Sequence, residues 1–507
     1  MSPQRYAALA LPALIVLYFT LFSGTDVVQP NPQTANELRG AWITTVVNLD
    51  WPSNRDLSVE EQKAELVEML DDLKSAGFNA VFFQVRSEAD AMYPSPFEPW
   101  SYWLTGKQGK APEPFYDPLR FVITEGHKRG MEVHTWLNPY RAHRNSDTYP
   151  THETHISETQ PDWILSFPSG SGTYLMLNPG VPAVNDFISN IVIDLVRRYD
   201  LDGIHFDDYF YPYTPAITDE DLTHFNANNR GFDDIKDWRR DNIDRMVAQV
   251  NDSIQSVDPL VKFGISPFGI RKNTDANTRG GEGYHLIYAN PLQWLEEGTI
   301  DYITPQLYWE RSHEVAPYEP LMKWWAEAAY ANNRHIYIGL APYRLLPPFD
   351  WGADEVVSQI SLNRNNEHHV QGSIFFRTEH IVGNPKGLRD SLLTNHFKYP
   401  VLTPPMEWKP VETPSPVENM RYVKGNNGEI SIHWSANESV RRYAVYRYPE
   451  FTSPDDMIGV PNAAKRIAIT GETSFVDTIS NGSSYFYAVT AVGRNSEESV
   501  PRVLHVR

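Results

Sequence analysis

The chain is 507 residues long, with 44 Lys and Arg against 64 Asp and Glu and a formal net charge of −20. That length calls for two or three domains, and an acidic balance with no phosphate-neutralising basic stretch excludes a nucleic-acid backbone as partner. Cysteine is absent, which excludes disulfides, thiolate metal sites and thiol nucleophiles.

Residues 1–24, MSPQRYAALALPALIVLYFTLFSG, place Arg5 before an apolar run from Tyr6 to Phe22. This pattern reads as a secretory signal or an uncleaved signal anchor, and predicts export to the cell envelope with anchoring or cleavage. Residues 25–37 read as a polar linker. From 38 to 399 short β-rich runs alternate with longer stretches of helical period. The strand candidates are 39–47, 79–86, 131–140, 203–208, 261–269, 301–309, 335–343 and 372–378. Between them, Leu66, Met69, Leu70 and Leu73 repeat at i, i+3, i+4 and i+7, and similar patterns fall near 117–129, 183–199, 236–256, 290–298, 319–332, 353–363 and 386–396. The strands are nearly continuous apolar runs, as in a parallel sheet covered on both faces. Eight such units predict a (β/α)8 TIM barrel. An open doubly wound sheet is the competing fold, but the Gly-rich phosphate turn it usually carries is not visible. Residues 400–413 are Pro-rich and read as a semi-stiff linker. From 414 to 507, period-2 runs separated by turn residues predict a small all-β sandwich. There Trp434 and the alternation of Tyr485, Tyr487, Val489 and Ala491 resemble a fibronectin type III module.

In a (β/α)8 barrel the chemistry gathers at the C-terminal ends of the strands. The polar and aromatic residues there include Asn48, Asp50, Arg86, Glu88, Asp90, Trp136, Asn138, Tyr140, Arg141, Asp207, Asp208, Tyr209, Ser266, Gln306, Tyr308, Trp309, Glu310 and Arg377. The long loop 87–116 contains PSPFEPWSYWLTG and suits a cleft wall. His368 and His369 are adjacent and diverge on any regular backbone, so no metal site is expected, and no cofactor motif is present. His205 and His134 fall mid-strand and read as packing beneath the site. Carboxylates, amides, Arg and aromatic rings together suit carbohydrate. Glycoside hydrolysis requires two carboxyl groups across the scissile bond. Asp207 and Asp208 face opposite ways if strand geometry persists, and only a turn beginning at Asp208 brings both into one cleft. Asp90 is the preferred second acid, ahead of Glu88 and Glu310.

Six motifs in order, ELRGAWITTVVNLDWPS, FFQVRSEADAMYPS, TWLNPYR, DGIHFDDYFYP, GISPFGIRKN and DYITPQLYW, resemble the bacterial glycosyl-hydrolase-like family 10 over about 37–400. The resemblance implies a (β/α)8 barrel that hydrolyses glycans in the cell envelope, including peptidoglycan strands stripped of stem peptides. It implies catalytic roles for Asp90, Asp207 and Asp208. It also implies sugar contacts for Arg86, Asn138, Tyr140, Arg141, Gln306, Tyr308 and Trp309, to which the strand ends add Trp136 and Tyr209. Ser87 stands where many relatives carry Pro. DGIHFDDYFYP is also similar to the family-18 chitinase strand, with Asp207 at its final Asp. Tyr209 falls at the position of the acid Glu and His205 at another Asp. A non-catalytic glycan-binding protein of the envelope and a polysaccharide lyase are the rival readings.

Overall fold

A computed structural model describes residues 36–507, except 412, 427, 437–439, 454–456, 458–462 and 480–482. The expected signal or anchor segment, and all but the end of the linker behind it, lie outside the described residues. Among the described residues no helix is long and apolar enough to cross a membrane.

Eight parallel strands close into a barrel: β1 (Leu38–Ile43), β2 (Ala80–Arg86), β3 (Glu132–Leu137), β4 (Gly203–Phe206), β5 (Lys262–Ile265), β6 (Tyr302–Ile303), β7 (His335–Leu340) and β8 (Gly372–Phe375). Their order around the barrel is β1-β8-β7-β6-β5-β4-β3-β2. Every strand residue is buried, which is why each strand reads as an apolar run rather than an alternation. Each predicted strand coincides with an observed one, and the helices follow their predicted stretches. The first, α1 (Val59–Ser75), opens on a reciprocal cap: Ser58 Oγ accepts the Glu61 N–H, and the Glu61 carboxylate accepts the Ser58 N–H. Its inward stripe of Leu66, Leu70 and Leu73 is fully buried. Between β3 and the helix Pro182–Arg198 the chain adds a three-stranded antiparallel sheet of Arg141–His143, Ile164–Ser169 and Gly172–Leu177, which the sequence reading did not contain.

The barrel interior is aromatic and partly polar, filled by Trp42, Phe82, His134, His205 and Tyr302. Two strand glycines make room for it. A Cβ on Gly203 would lie 2.3 Å from the His134 ring, and one on Gly264 would lie 2.1 Å from the Tyr302 ring.

The C-terminal domain is a sandwich, with seven strands among the described residues: β9 (Arg421–Lys424), β10 (Glu429–His433), β11 (Arg442–Pro449), β12 (Arg466–Thr470), β13 (Ser474–Thr478), β14 (Tyr485–Val492) and β15 (Arg502–Val506). Sheet β9-β10-β13 packs on sheet β12-β11-β14-β15, with Trp434 against Tyr443 in the core at 5.4 Å. This three-on-four division fits the fibronectin type III resemblance.

The stretch read as a semi-stiff linker is instead a docked strap. Leu402, Thr403 and Met406 are buried, Trp408 Nε1 donates to Asp301 at 2.7 Å, and Lys409 pairs with Asp301 at 2.7 Å. Apolar Leu402 and Met406 are what hold it down; Pro content predicted stiffness but carried no information about a receiving surface. The sandwich follows it onto the N-terminal ends of the barrel strands. Arg441 pairs with Asp202 at 2.8 Å and Arg494 with Asp258 at 2.6 Å. At the centre of the junction, buried Glu132 meets Lys262 at 2.7 Å, Arg442 at 3.4 Å and the Thr403 hydroxyl.

Candidate active site

At the opposite, C-terminal end of the barrel lies a cleft of about 370 Å³, lined by residues from β1, β2, β3 and the loops after β1, β3, β4, β5, β6 and β8. Asp207 and Asp208 both line it. Strand pairing of β4 stops at Phe206, and the Phe210 N–H then bonds back to the Asp208 carbonyl at 2.9 Å. That turn releases the two carboxyls from strand alternation and turns both into one cleft. Phe210 and Tyr211 anchor the turn by burial, with Phe210 edge-on to Trp294 at 5.5 Å.

The two acids have different surroundings. Asp207 Oδ2 accepts from Trp136 Nε1 at 3.1 Å and from Asn138 Nδ2 at 3.3 Å, and its Oδ1 has no hydrogen-bond partner. Burial pushes its pKa up to about 6, with the Arg141 guanidinium and these donors opposing the rise. Asp208 is pushed further, to about 8, by burial and by the charge of Asp207, against a hydrogen bond from Gln306. Near neutral pH the pair therefore holds one proton, on Asp208, beside an ionised Asp207.

Arg141 connects this pair to a second polar centre. Its Nε donates to the Ser87 carbonyl at 2.9 Å, and its guanidinium lies 4.6 Å from the Tyr209 ring centroid. Tyr209 packs on Tyr213 at 5.5 Å, and Tyr308 stacks on Phe376 at 6.1 Å, so rings stand on two sides of the acids. Gln306 Nε2 donates to the Ser266 carbonyl at 2.9 Å. Gln84 Oε1 accepts the N–H groups of Thr45 and Val46, both at 3.0 Å, and so holds the loop after β1.

Of the residues expected in the site, Asp207, Asp208, Trp136, Arg141, Tyr209, Gln306 and Tyr308 line the cleft. Asn138 is fully buried behind it: its amide holds Asp207, and its Oδ1 accepts the Arg141 N–H at 2.9 Å. Four expectations are corrected. Arg86 does not reach the cleft, because it forks onto buried Glu98 at 2.7 Å and donates to the carbonyls of Asn138 and Pro139. Tyr140 is fully buried with an unpartnered hydroxyl. Trp309 packs against the core, and a Cβ on Gly269 would lie 2.7 Å from its ring. Asp90 is fully buried behind the loop after β2, accepting from Ser87 Oγ at 3.3 Å and Glu88 N at 3.1 Å. Burial and the neighbouring Glu88 push Asp90 up to about 6, but it is not a wall residue of the cleft. Nor does loop 87–116 form the wall. Trp103 donates to buried Glu88 at 2.8 Å, and Tyr102 stacks on Tyr149 at 4.1 Å, so these rings roof the Glu88 centre. The reading missed Trp42, Gln84, Tyr213 and Phe376. Trp42 and Phe376 were legible as rings at strand ends; Gln84 carried no signal.

A larger open groove of about 670 Å³ runs between the helices Pro182–Arg198 and Ile235–Val257, but no aromatic ring lines it. The aromatic cleft with its paired acids is the place for sugar chemistry.

Two carboxyls with separated proton affinities, set among rings at the C-terminal end of a (β/α)8 barrel, are the kind of arrangement that glycoside hydrolysis requires. Sequence comparison agrees. Residues 37–354 match the family described as Glycosyl hydrolase-like 10, and the chain belongs to it. It is 38% identical over 508 residues to "Glycosyl hydrolase YngK" of Bacillus subtilis (strain 168), covering 96% of this chain and 97% of the relative. It is 37% identical over 378 residues to "Glycosyl hydrolase DigH" of Escherichia coli (strain K12), covering 69% and 84%. Among solved structures, the glycoside hydrolase domain of PgaB (BpsB) from Bordetella bronchiseptica aligns with a TM-score of 0.47 and 15% identity, over 70% of this chain and 98% of that one.

Proposed function

We propose that this glycoside hydrolase is exported and acts in the cell envelope on an amino-sugar polymer, the glycan strands of peptidoglycan, with Asp208 as the acid and Asp207 as its ionised partner. One observation carries the reading: among the described residues the acids lining the cleft are Asp207 and Asp208 alone, adjacent in sequence on one loop. A pair so placed approaches the sugar from one side and leaves the opposite face of the anomeric carbon without a carboxylate nucleophile or base. A 2-acetamido group on the substrate supplies that nucleophile itself. Asp208 gives its proton to the glycosidic oxygen as the C1–O bond breaks, and the acetamido carbonyl oxygen bonds to C1. Asp207 accepts the amide N–H and balances the positive charge of the ring formed. The Asp208 carboxylate then takes a proton from the water that opens this ring, so the product keeps the starting configuration. The apolar run at 6–22 supports export.

Digestion of purified, peptide-free glycan strands, read by mass spectrometry and by NMR of the new reducing end, tests this. Saturated fragments with retained configuration are expected. Inverted products, unsaturated ends absorbing in the ultraviolet, or intact strands would sink it. Asp208→Asn and Asp207→Asn are each expected to lower kcat by about 10²–10⁴-fold with an unchanged circular dichroism spectrum. Full activity in both single variants removes the assignment.

A further inference from the structure

The barrel axis carries an unbroken hydrogen-bonded chain that hydrolysis by the acid pair does not use. At the lower end, Glu132 accepts from Lys262 at 2.7 Å and lies 3.4 Å from Arg442 of the sandwich. Glu132 Oε2 lies 3.1 Å from His134 Nε2, and His134 Nδ1 lies 3.1 Å from the Tyr302 hydroxyl. The same hydroxyl lies 3.1 Å from His205 Nδ1. His205 Nε2 then meets Trp42 Nε1 and Ser266 Oγ, each at 3.2 Å. All of these side chains are buried.

Chemistry leaves the chain one direction. An indole N–H only donates, so His205 Nε2 accepts from Trp42. Burial keeps the His205 ring neutral, so its proton sits on Nδ1 and goes to the Tyr302 oxygen. The tyrosine proton then goes to His134 Nδ1, and the His134 Nε2–H goes to Glu132. At that end Lys262, Arg442 and the His134 hydrogen bond hold the carboxyl well below its usual range, against burial. The indole at the top and the carboxylate at the bottom thus demand the same orientation, and Gly203 and Gly264 keep the space in which the rings align. At the top, the chain ends on the cleft floor. Trp42 and Ser266 line the cleft, and the Ser266 carbonyl holds Gln306, which lines the same cleft as Asp208. Trp42 already takes the His205 Nε2 lone pair, so the Ser266 hydroxyl donates to the Phe206 carbonyl at 3.4 Å and its oxygen offers the cleft lone pairs, suited to a sugar hydroxyl or an amide N–H.

We propose that Tyr302 and His205 are positioning residues for the cleft floor, and that the C-terminal sandwich, through Arg442 on Glu132, is part of the catalytic unit rather than an appended spacer. The kinetic part rests on Asp208 being the acid; the orientation of the chain does not. Imidazole 15N NMR of the full chain, with His205 assigned from a His205→Gln variant, reads the orientation without turnover. A proton on His205 Nδ1 is expected, and a proton on Nε2 overturns the proposal. Tyr302→Phe is expected to shift the His205 signals and lower kcat on peptide-free glycan strands about five- to tenfold, the rate equivalent of one hydrogen bond, with KM within about twofold. Arg442→Met is expected to lower kcat in the same sense, and the double variant to be no slower than Tyr302→Phe alone, because the link is already cut. Additive losses, or a folded Tyr302→Phe with wild-type kcat, overturn it. Wild-type protein inert on the strands, with His205 protonated on Nδ1, refutes the substrate reading and leaves the chain standing.

Discussion

Asp207 and Asp208 share one cleft yet differ in proton affinity, and the difference sets two measurable pH dependences. The pair titrates in steps near 6 and 8. With Asp208 as the proposed acid and Asp207 as its ionised partner, turnover needs the first proton gone and the second retained, so kcat/KM is expected to be bell-shaped, with limbs near those values. A profile with no alkaline limb between about 7 and 9 excludes Asp208 as the acid. Stability follows the opposite logic. The folded pKa of Asp208 lies above its ordinary 3.8, so the folded state holds the extra proton between these values. Its contribution is whole below about 4 and is lost as pH rises through about 8. Asp208→Asn is therefore expected to raise Tm relative to wild type at about pH 8 and to have less effect at about pH 5, as read by calorimetry. A Tm difference that does not change with pH contradicts the assignment. DGIHFDDYFYP announced the acids, because two carboxylates after an apolar run mark a strand end. It did not announce their direction, which depends on the turn from Asp208 to Phe210. Arg86 was misread for a similar reason. Its position at the rim was legible, but its partner Glu98 sits in an irregular loop, and no spacing reveals a fork across a loop.

Strands and helices of the barrel were legible because burial on both faces leaves an unbroken apolar run for each strand and a 3.6-residue stripe for each helix. The sheet of Arg141–His143, Ile164–Ser169 and Gly172–Leu177 was not, because its strands are short and one contains Pro168, which argues against a strand when read alone. Glycine inside a strand is the signal the barrel interior does give. Gly264 occupies a buried position on β5, and its missing Cβ is the space taken by the Tyr302 ring. Gly264→Ala is expected to destabilise the chain by about 1–3 kcal/mol through overpacking, measured by denaturant unfolding. A change below about 0.5 kcal/mol would show that the ring has room to move.

Across the whole molecule, barrel and sandwich share buried charge. Glu132 depends on Lys262 from the barrel and on Arg442 and Thr403 from outside it. Removing one partner of a buried ion pair costs about 3–5 kcal/mol. The full chain is therefore expected to melt in one calorimetric transition, and a chain ending at 399 to lose barrel stability or fail to fold. Two separate transitions, or a truncated barrel of wild-type Tm, would contradict a shared unit. The domain order was plain from composition, whereas the docking was not, since Pro-rich sequence reads alike whether it spans solvent or lies along a surface.

The strap also fixes where the chain enters. Asn36 pairs with Leu402, and Glu37 donates to the Leu402 carbonyl at 2.8 Å, at the end of the barrel away from the acids. From residue 36 the chain thus enters the barrel at its back, on the side where the sandwich docks. The mouth with Asp207 and Asp208 therefore lies at the end that neither the entering chain nor the sandwich covers, since every residue lining it belongs to the barrel and its loops.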